Sequence, residues 1–207
     1  MTYTLLLDPG HGKDTPGKRS PLMPDKRQLL EWEFTRDVAW YIESLAQDYY
    51  FKVVRLVTED DDIPLSTRAA RANDYIKKHP DEKCVLISIH GNAAGNGSSW
   101  MAARGWEAWT TVGKTNSDKL AEELYKSAEV IFPAGTKLRT DSSDGDKDKE
   151  KNFTVIYKAN CPAVLTENFF YDNIYDCEYM LSLEGLQDIA KEKVPIDCGQ
   201  VDFRYVL

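Results

Sequence analysis

The stretch Leu5-Leu6-Leu7-Asp8-Pro9-Gly10-His11-Gly12 ends an apolar run abruptly in a histidine held between two glycines. A run this short and uniform reads as a strand buried on both faces, as in a parallel sheet. The same grammar returns in Val85-Leu86-Ile87-Ser88-Ile89-His90-Gly91-Asn92. A third copy, Ala163-Val164-Leu165-Thr166-Glu167-Asn168, closes on an acid. Each of the three strands ends by presenting a side chain able to bind a metal or move a proton. In open α/β sheets ligands bind at the carboxyl ends of the strands, so the three endings point to one hydrolytic metal site. Glycine beside each histidine lets the backbone bring both imidazoles close to a shared ion.

Working outward, residues 3–8 read as the first strand and 9–30 as a long functional loop rich in proline, glycine and basic residues. Residues 31–48 read as a helix and 52–57 as a strand, followed by an acidic turn from Glu59 to Asp62. Ser66 suits the N-cap of a helix running to Lys78, with Leu65, Ala69, Ala72 and Ile76 on its inner side. Strand 84–89 leads into a Gly/Asn/Ser loop at 91–99, then a β-prone segment from Gly105 to Val112. Ser117 reads as the cap of a helix with Leu120, Leu124, Ala128 and Ile131 on one stripe. A polar, mobile loop over 139–152 precedes strands at 153–157 and 163–166 and a helix over 176–191. Alternating strands and helices predict a single α/β domain over residues 1–207, with a central, mainly parallel twisted sheet and helices on both faces.

Composition narrows the classes of function. The 207 residues are 42% hydrophobic and 29% charged, enough for a sizeable core, and the formal net charge is -8. That balance excludes a phosphate-tracking nucleic-acid binder, which carries a basic face. It also speaks against simple electrostatic capture on an anionic membrane or wall. No segment approaches the roughly 18 apolar residues of a membrane span, so no membrane insertion is expected. Met1-Thr2-Tyr3-Thr4-Leu5 has no basic stretch or cleavage site before the first strand, which predicts cytoplasmic synthesis without a signal peptide. Cys84, Cys161, Cys177 and Cys198 form no CxxC pair and are expected as buried free thiols.

A catalytic zinc keeps three protein ligands, often two histidines and a glutamate, and leaves a position open for water. Of the three histidines, His79 in Lys77-Lys78-His79-Pro80 belongs to an exposed helix end. His11 and His90 each fit a hydrogen-bonded strand-end histidine when taken alone, but their common placement favours ligands. Asp8 either orients a ligand imidazole or stabilises the Asp-Pro-Gly turn. Helix phase supplies the third ligand. At about 100° per residue, the stripe Phe34, Val38, Ile42 and Leu45 places Glu31 at its centre. Glu33 falls roughly opposite, with Arg36, Trp40 and Glu43. A carboxylate aimed coreward is costly unless paired or bound to metal, so Glu31 is the candidate and Glu33 a solvated acid. Glu167 ends a strand expected to be central. It fits either a group that takes a proton from an attacking water and returns it to a leaving amine, or a strand-end acid held by a neighbouring lysine or arginine.

These segments, in this order, resemble the zinc-dependent N-acetylmuramoyl-L-alanine amidases of the Amidase_3 family. The resemblance rests on Asp8 to Gly12, Glu31 at a helix start, Ser88 to Ala93, and Pro162 to Glu167. It spans residues 5 to about 190; Lys13–Pro21, Leu29–Arg36 and Ala103–Thr110 resemble a phage and prophage subgroup. It implies a phosphorylase/hydrolase-like fold and one Zn2+ per chain held by His11, Glu31 and His90, with Glu167 as the catalytic glutamate. The implied reaction cleaves the amide between the lactyl group of N-acetylmuramic acid and L-alanine in peptidoglycan. Cell-wall lysis of the autolysin or endolysin kind would follow, after release at lysis or with a holin-like partner. Gly91 stands where familiar members have alanine, and Thr166 where they have valine; both changes leave the ligands in place. The tail from Val194 to Leu207 matches no family pattern. A zinc peptidase or carboxypeptidase cutting the stem peptide is the enzymatic alternative, and would need a fixed cation. A non-catalytic wall-binding module of the same fold is the other, against which the intact His11, Glu31, His90 and Glu167 speak. Trp100, Trp106 and Trp109 with Arg104 fit either a sugar-binding groove or, preferably, packing. Lys13, Lys18 and Arg19 fit either substrate carboxylates or a solvated basic loop.

Overall fold

In the computed structural model, which describes residues 2–49, 51–194 and 206, the leucine run lies at the heart of strand β1 (Thr2–Pro9). Leu5, Leu6 and Leu7 are fully buried. β1 pairs in parallel with β2 (Lys52–Arg55) on one side and β3 (Glu82–Asn92) on the other. β3 in turn pairs in parallel with β6 (Ala163–Phe170). Beyond β6, β4 (Glu107–Thr110) runs antiparallel and β5 (Lys149–Glu150) follows parallel to β4, giving the order β2-β1-β3-β6-β4-β5. The expected mainly parallel α/β domain is therefore present, with one reversed edge.

Successive side chains of a strand point to opposite faces, and this divides the core in two. Leu5, Leu7, Val85, Ile87, Ile89 and Val164 pack with α1 (Glu31–Tyr49), α3 (Asn116–Ile131), α5 (Ile174–Met180) and α6 (Leu183–Lys191). Leu6, Leu86 and Leu165 face the other way, onto α2 (Leu65–Lys78) and α4 (Thr154–Lys158) through Ala72, Val155 and Ile156. The chain leaves β1 for β2 on one side and returns to β3 on the other. The carboxyl ends of β1 and β3 thus flank the crevice where such sheets bind ligands.

Several boundaries differ from the expectation for local reasons. β3 and β6 continue through His90 and Glu167, which are paired residues of the ladder rather than residues beyond it. Residues 154–158 form helix α4, not a strand; Val155 and Ile156 bury against α2, so packing outweighs their β propensity. The helix expected over 176–191 is two helices, because the Ser182 hydroxyl accepts from Gly185 N at 2.9 Å and starts α6 afresh. Ser66 and Ser117 lie inside their helices; Pro64 and Thr115 occupy the caps, Thr115 in a capping box with Asp118. Leu65 is exposed, while Arg68 takes the inward phase. The polar 139–152 loop supplies β5 and buries Asp148 against Thr110 at 2.5 Å. Cys84 and Cys177 are buried free thiols and Cys161 a half-buried one; Cys198 and the tail over 195–205 lie outside the described residues. Among the described residues no helix is long and apolar enough to cross a membrane.

Ile87 stands mid-strand in β3 with no exposed surface. Its replacement by alanine is expected to cost about 2–5 kcal/mol. Urea denaturation should show a lower midpoint at an unchanged slope.

Candidate metal centre

The turn after β1 is built by close approach. Gly10 N donates to Ile89 O at 2.9 Å, holding the turn against β3. A Cβ on Gly10 would come within 2.4 Å of the His90 ring, and one on Gly12 within 2.0 Å of Asp62 N. Between them His11 adopts a left-handed backbone, φ 60°, a conformation that costs a non-glycine residue about 1–3 kcal/mol. Its carbonyl accepts from Arg36 Nη2 at 3.0 Å and Arg68 Nη2 at 3.1 Å. The hydrogen bonds of the Asp8 carboxylate go elsewhere than to the imidazoles. That carboxylate accepts from Arg68 Nη1 at 2.8 Å and Ser88 Oγ at 2.6 Å, and so anchors the arginine that bonds the Pro9 and His11 carbonyls.

Helix α1 brings Glu31 in with no exposed surface, while Glu33 is exposed, as the helix phase requires. Glu31 Oε1 lies 3.3 Å from His11 Nε2, 3.2 Å from His90 Nδ1, and accepts from Gly91 N at 3.0 Å. The two rings stand nearly perpendicular with centroids 4.9 Å apart. One ligand atom from each of His11, Glu31 and His90 falls within 4.8 Å of the others, and among the described residues this is the group that could hold a metal ion. Burial opposes the charge on Glu31, yet hydrogen bonds with both imidazoles hold its carboxyl well below the usual carboxylate range. Burial lowers His11 despite the same carboxylate; for His90 burial is outweighed by Glu31, and the imidazole is raised. Glu31 Oε2 is buried without a hydrogen-bond partner, with Lys18 Nζ 3.7 Å away. Two imidazoles, a buried carboxylate and an unsatisfied oxygen make a donor set that fits a borderline-soft divalent ion such as zinc.

Glu167 stands beside this cluster, in register with His90 on one flank and Glu107 on the other. Its Oε2 is buried without a partner, and burial pushes the carboxyl up to about 7, with His90 pulling down and Glu31 and Glu107 pushing further up. Glu107, by contrast, accepts from Asn92, Trp109, Arg139 and Lys149 at 2.6–3.1 Å. Those partners outweigh its burial and hold it below the ordinary range. Behind Glu167, Asn168 Nδ2 donates to His90 O at 2.8 Å, and Asn168 Oδ1 accepts from Lys193 Nζ at 2.7 Å. Lys193 pairs with Glu192, and both are fully buried.

Sequence reasoning named His11, Glu31, His90 and Glu167, and the structure brings all four together. It missed Arg36, Arg68, Glu107, Asn168 and Lys193. Arg68 had a signal: the phase test that chose Glu31 also places Arg68 on the inner face of α2. His79 caps the end of α2, with its ring 4.2 Å from that of Tyr75, away from the cluster. The three tryptophans do not line one groove: Trp106 and Trp100 pack in one half of the core and Trp109 in the other. Trp106 is fully buried, Trp109 meets Phe153, and Trp100 is half-buried. Arg104 lies near Asp176. Lys13 pairs with Asp61 at 3.1 Å and the Arg19 side chain is exposed, so of the three loop cations Lys18 is the one at Glu31.

An α/β domain with a His-Glu-His cluster at its switch point and a high-pKa carboxyl beside it has the make-up of a metallohydrolase. Comparison with known proteins narrows that class. The family model described as N-acetylmuramoyl-L-alanine amidase, Amidase_3, matches residues 5–194, and the chain belongs to that family. The amidase CwlM of Bacillus licheniformis is 30% identical over 190 residues, covering 90% of this chain and 64% of the relative. The endolysin of Bacillus phage SPP1 is 26% identical over 196 residues, covering 92% and 63%. The chain thus spans just under two thirds of the length of the curated relatives it matches. Among solved structures, N-acetylmuramoyl-L-alanine amidase from Clostridium difficile 630 superposes with a TM-score of 0.72 at 26% identity, covering 93% of this chain and 92% of that one. The catalytic domain of CwlV from Bacillus (Paenibacillus) polymyxa var. colistinus shares the fold, with a TM-score of 0.69 at 21% identity and coverage of 93% and 94%.

The approach at Gly12 is to backbone atoms, which cannot swing aside. Gly12→Ala is therefore expected to destabilise by about 1–3 kcal/mol as overpacking, read as a lowered thermal midpoint. An unchanged midpoint would contradict the packing of this turn.

Proposed function

We propose that this protein is a zinc-dependent N-acetylmuramoyl-L-alanine amidase, which hydrolyses the amide between the lactyl group of N-acetylmuramic acid and L-alanine of the stem peptide. The observation that carries the reading is the convergence of His11, Glu31 and His90 beside the high-pKa carboxyl of Glu167, in a chain of this family. His11, Glu31 and His90 would hold one zinc ion per chain, which supplies Lewis-acid polarisation of a carbonyl and acidification of a water. Glu167, ionised, takes a proton from the attacking water as its oxygen bonds to the scissile carbonyl carbon. The same group then returns that proton to the departing alanine nitrogen as the C–N bond breaks. Glu107, fixed as an anion by Arg139 and Lys149, keeps Glu167 ready to receive a proton near neutral pH. The substrate is peptidoglycan, reached after release at lysis or through a holin-like partner. Cleavage within the stem peptide, the rival reaction, would leave the lactyl amide intact.

Glu167→Gln is expected to retain zinc and to lose turnover by about 10²–10⁴-fold, the usual worth of a general base. Mass spectrometry of digested muropeptides checks both points: the parent should release intact stem peptides and lactyl-bearing sugar, and a chelator should abolish that release. Cleavage inside the peptide, or full activity in Glu167→Gln, would sink the assignment.

The sign of the pH dependence follows from the raised carboxyl of Glu167. Below about 7 the group is protonated and cannot accept a proton, so kcat/KM should rise with pH as it ionises. A bound dication favours the carboxylate, placing the rise at or below that value. In Glu167→Gln the rise should disappear from the residual rate.

A further inference from the structure

The left-handed backbone of His11 needs something to hold it, and two arginines from different helices meet there. Arg68 of α2 is 1% exposed. Its guanidinium donates to Pro9 O at 2.6 Å, His11 O at 3.1 Å, Asp8 Oδ1 at 2.8 Å, Asp62 Oδ1 at 2.9 Å and Ile63 O at 2.6 Å. Arg36 of α1 donates to Gly10 O at 3.3 Å, to His11 O at 3.0 Å and to Glu59 O at 2.8 and 3.1 Å. Three successive carbonyls of one turn are thus gripped by two forks. Two guanidinium groups beside one carbonyl repel each other, and burying them is costly. A solvated loop does not require that arrangement.

We propose that Arg36 and Arg68 are positioning residues for the metal centre: they hold the His11 peptide in its left-handed conformation and so aim the imidazole at Glu31 and His90. The proposal rests on His11 being a metal ligand. Arg36 and Glu31 share helix α1, so the element that supplies the carboxylate also grips the turn that supplies the imidazole. The spacing between these two donors is then set by one rigid body. The planar fork carries the role, because a lysine places one charge but cannot span two carbonyls in fixed geometry. Without the forks the strained residue relaxes toward ordinary backbone and its ring leaves the cluster.

The test uses the full chain as parent, Arg36→Gln, Arg68→Lys and His11→Ala. Zinc affinity is measured by chelator competition, the visible spectrum of the cobalt-substituted protein reports donor geometry, and the thermal midpoint of metal-free protein reports folding. Arg36→Gln, whose side chain is half-buried, should keep its metal-free midpoint yet bind zinc about 10–100-fold more weakly, as loss of groups that orient a ligand does. Its cobalt spectrum should change in shape. Arg68→Lys should weaken zinc in the same direction. Parent-like zinc affinity and cobalt spectrum in both arginine variants, with His11→Ala defective, would overturn the positioning role while leaving the metal centre standing. Parent-like zinc binding in His11→Ala, or none in the parent, would overturn the metal-centre reading and the proposal with it.

Discussion

One buried oxygen, Oε1 of Glu31, organises the site. It lies within 3.3 Å of both imidazoles and accepts the Gly91 amide. An ionised carboxylate with no exposed surface is tolerated in a protein only with dedicated partners. Here the carboxylate comes from the start of α1, and its partners from the turn after β1 and from β3. That demand explains the glycines at 10 and 91, the left-handed His11 and the register that seats His90 opposite Glu167. The sheet order does the long-range work: β1 and β3 are neighbours in the sheet although the histidines lie far apart in the chain.

Three glutamates within this small volume hold three different protonation balances. Glu31 is pulled down by imidazoles, Glu107 by an arginine and a lysine, and Glu167 is pushed up because burial meets no full set of partners. Residue type sets none of this; the neighbours do. Separating carboxyl groups in this way is how one fold assigns a ligand, a fixed charge and a proton carrier.

Much of this was legible in the sequence because the signals were local. Leu5 to Leu7 and Val85 to Ile89 declare strands buried on both faces, and the stripe of α1 put Glu31 inward before any partner was visible. The errors arose where local pattern met tertiary context. Phe153 to Tyr157 has the β-branched and aromatic content of a strand, yet pairs with nothing in the sheet and packs on α2 as a helix. The role of Arg68 is not legible in sequence because an arginine on an inner face reads as an exception, and its partners are Asp8, Pro9, His11, Asp62 and Ile63, in segments that no periodicity links. Lys193 and Asn168 escaped for the same reason: Lys193 reaches Asn168, and Asn168 reaches the carbonyl of His90, a backbone atom without a sequence signature.

The link from Lys193 through Asn168 to His90 bears on the order in which the molecule is put together. It joins the end of α6 to the middle of the chain, and the cluster draws further on residues 11, 31 and 167. Contacts between such distant positions require the loops between them to close, at an entropic cost. During synthesis, His11, Glu31 and His90 leave the ribosome well before Asn168 and Lys193 exist to hold the His90 carbonyl. A nascent chain therefore carries its three donors for much of its synthesis without the frame that fixes them. The finished geometry arrives only when the last described helix docks.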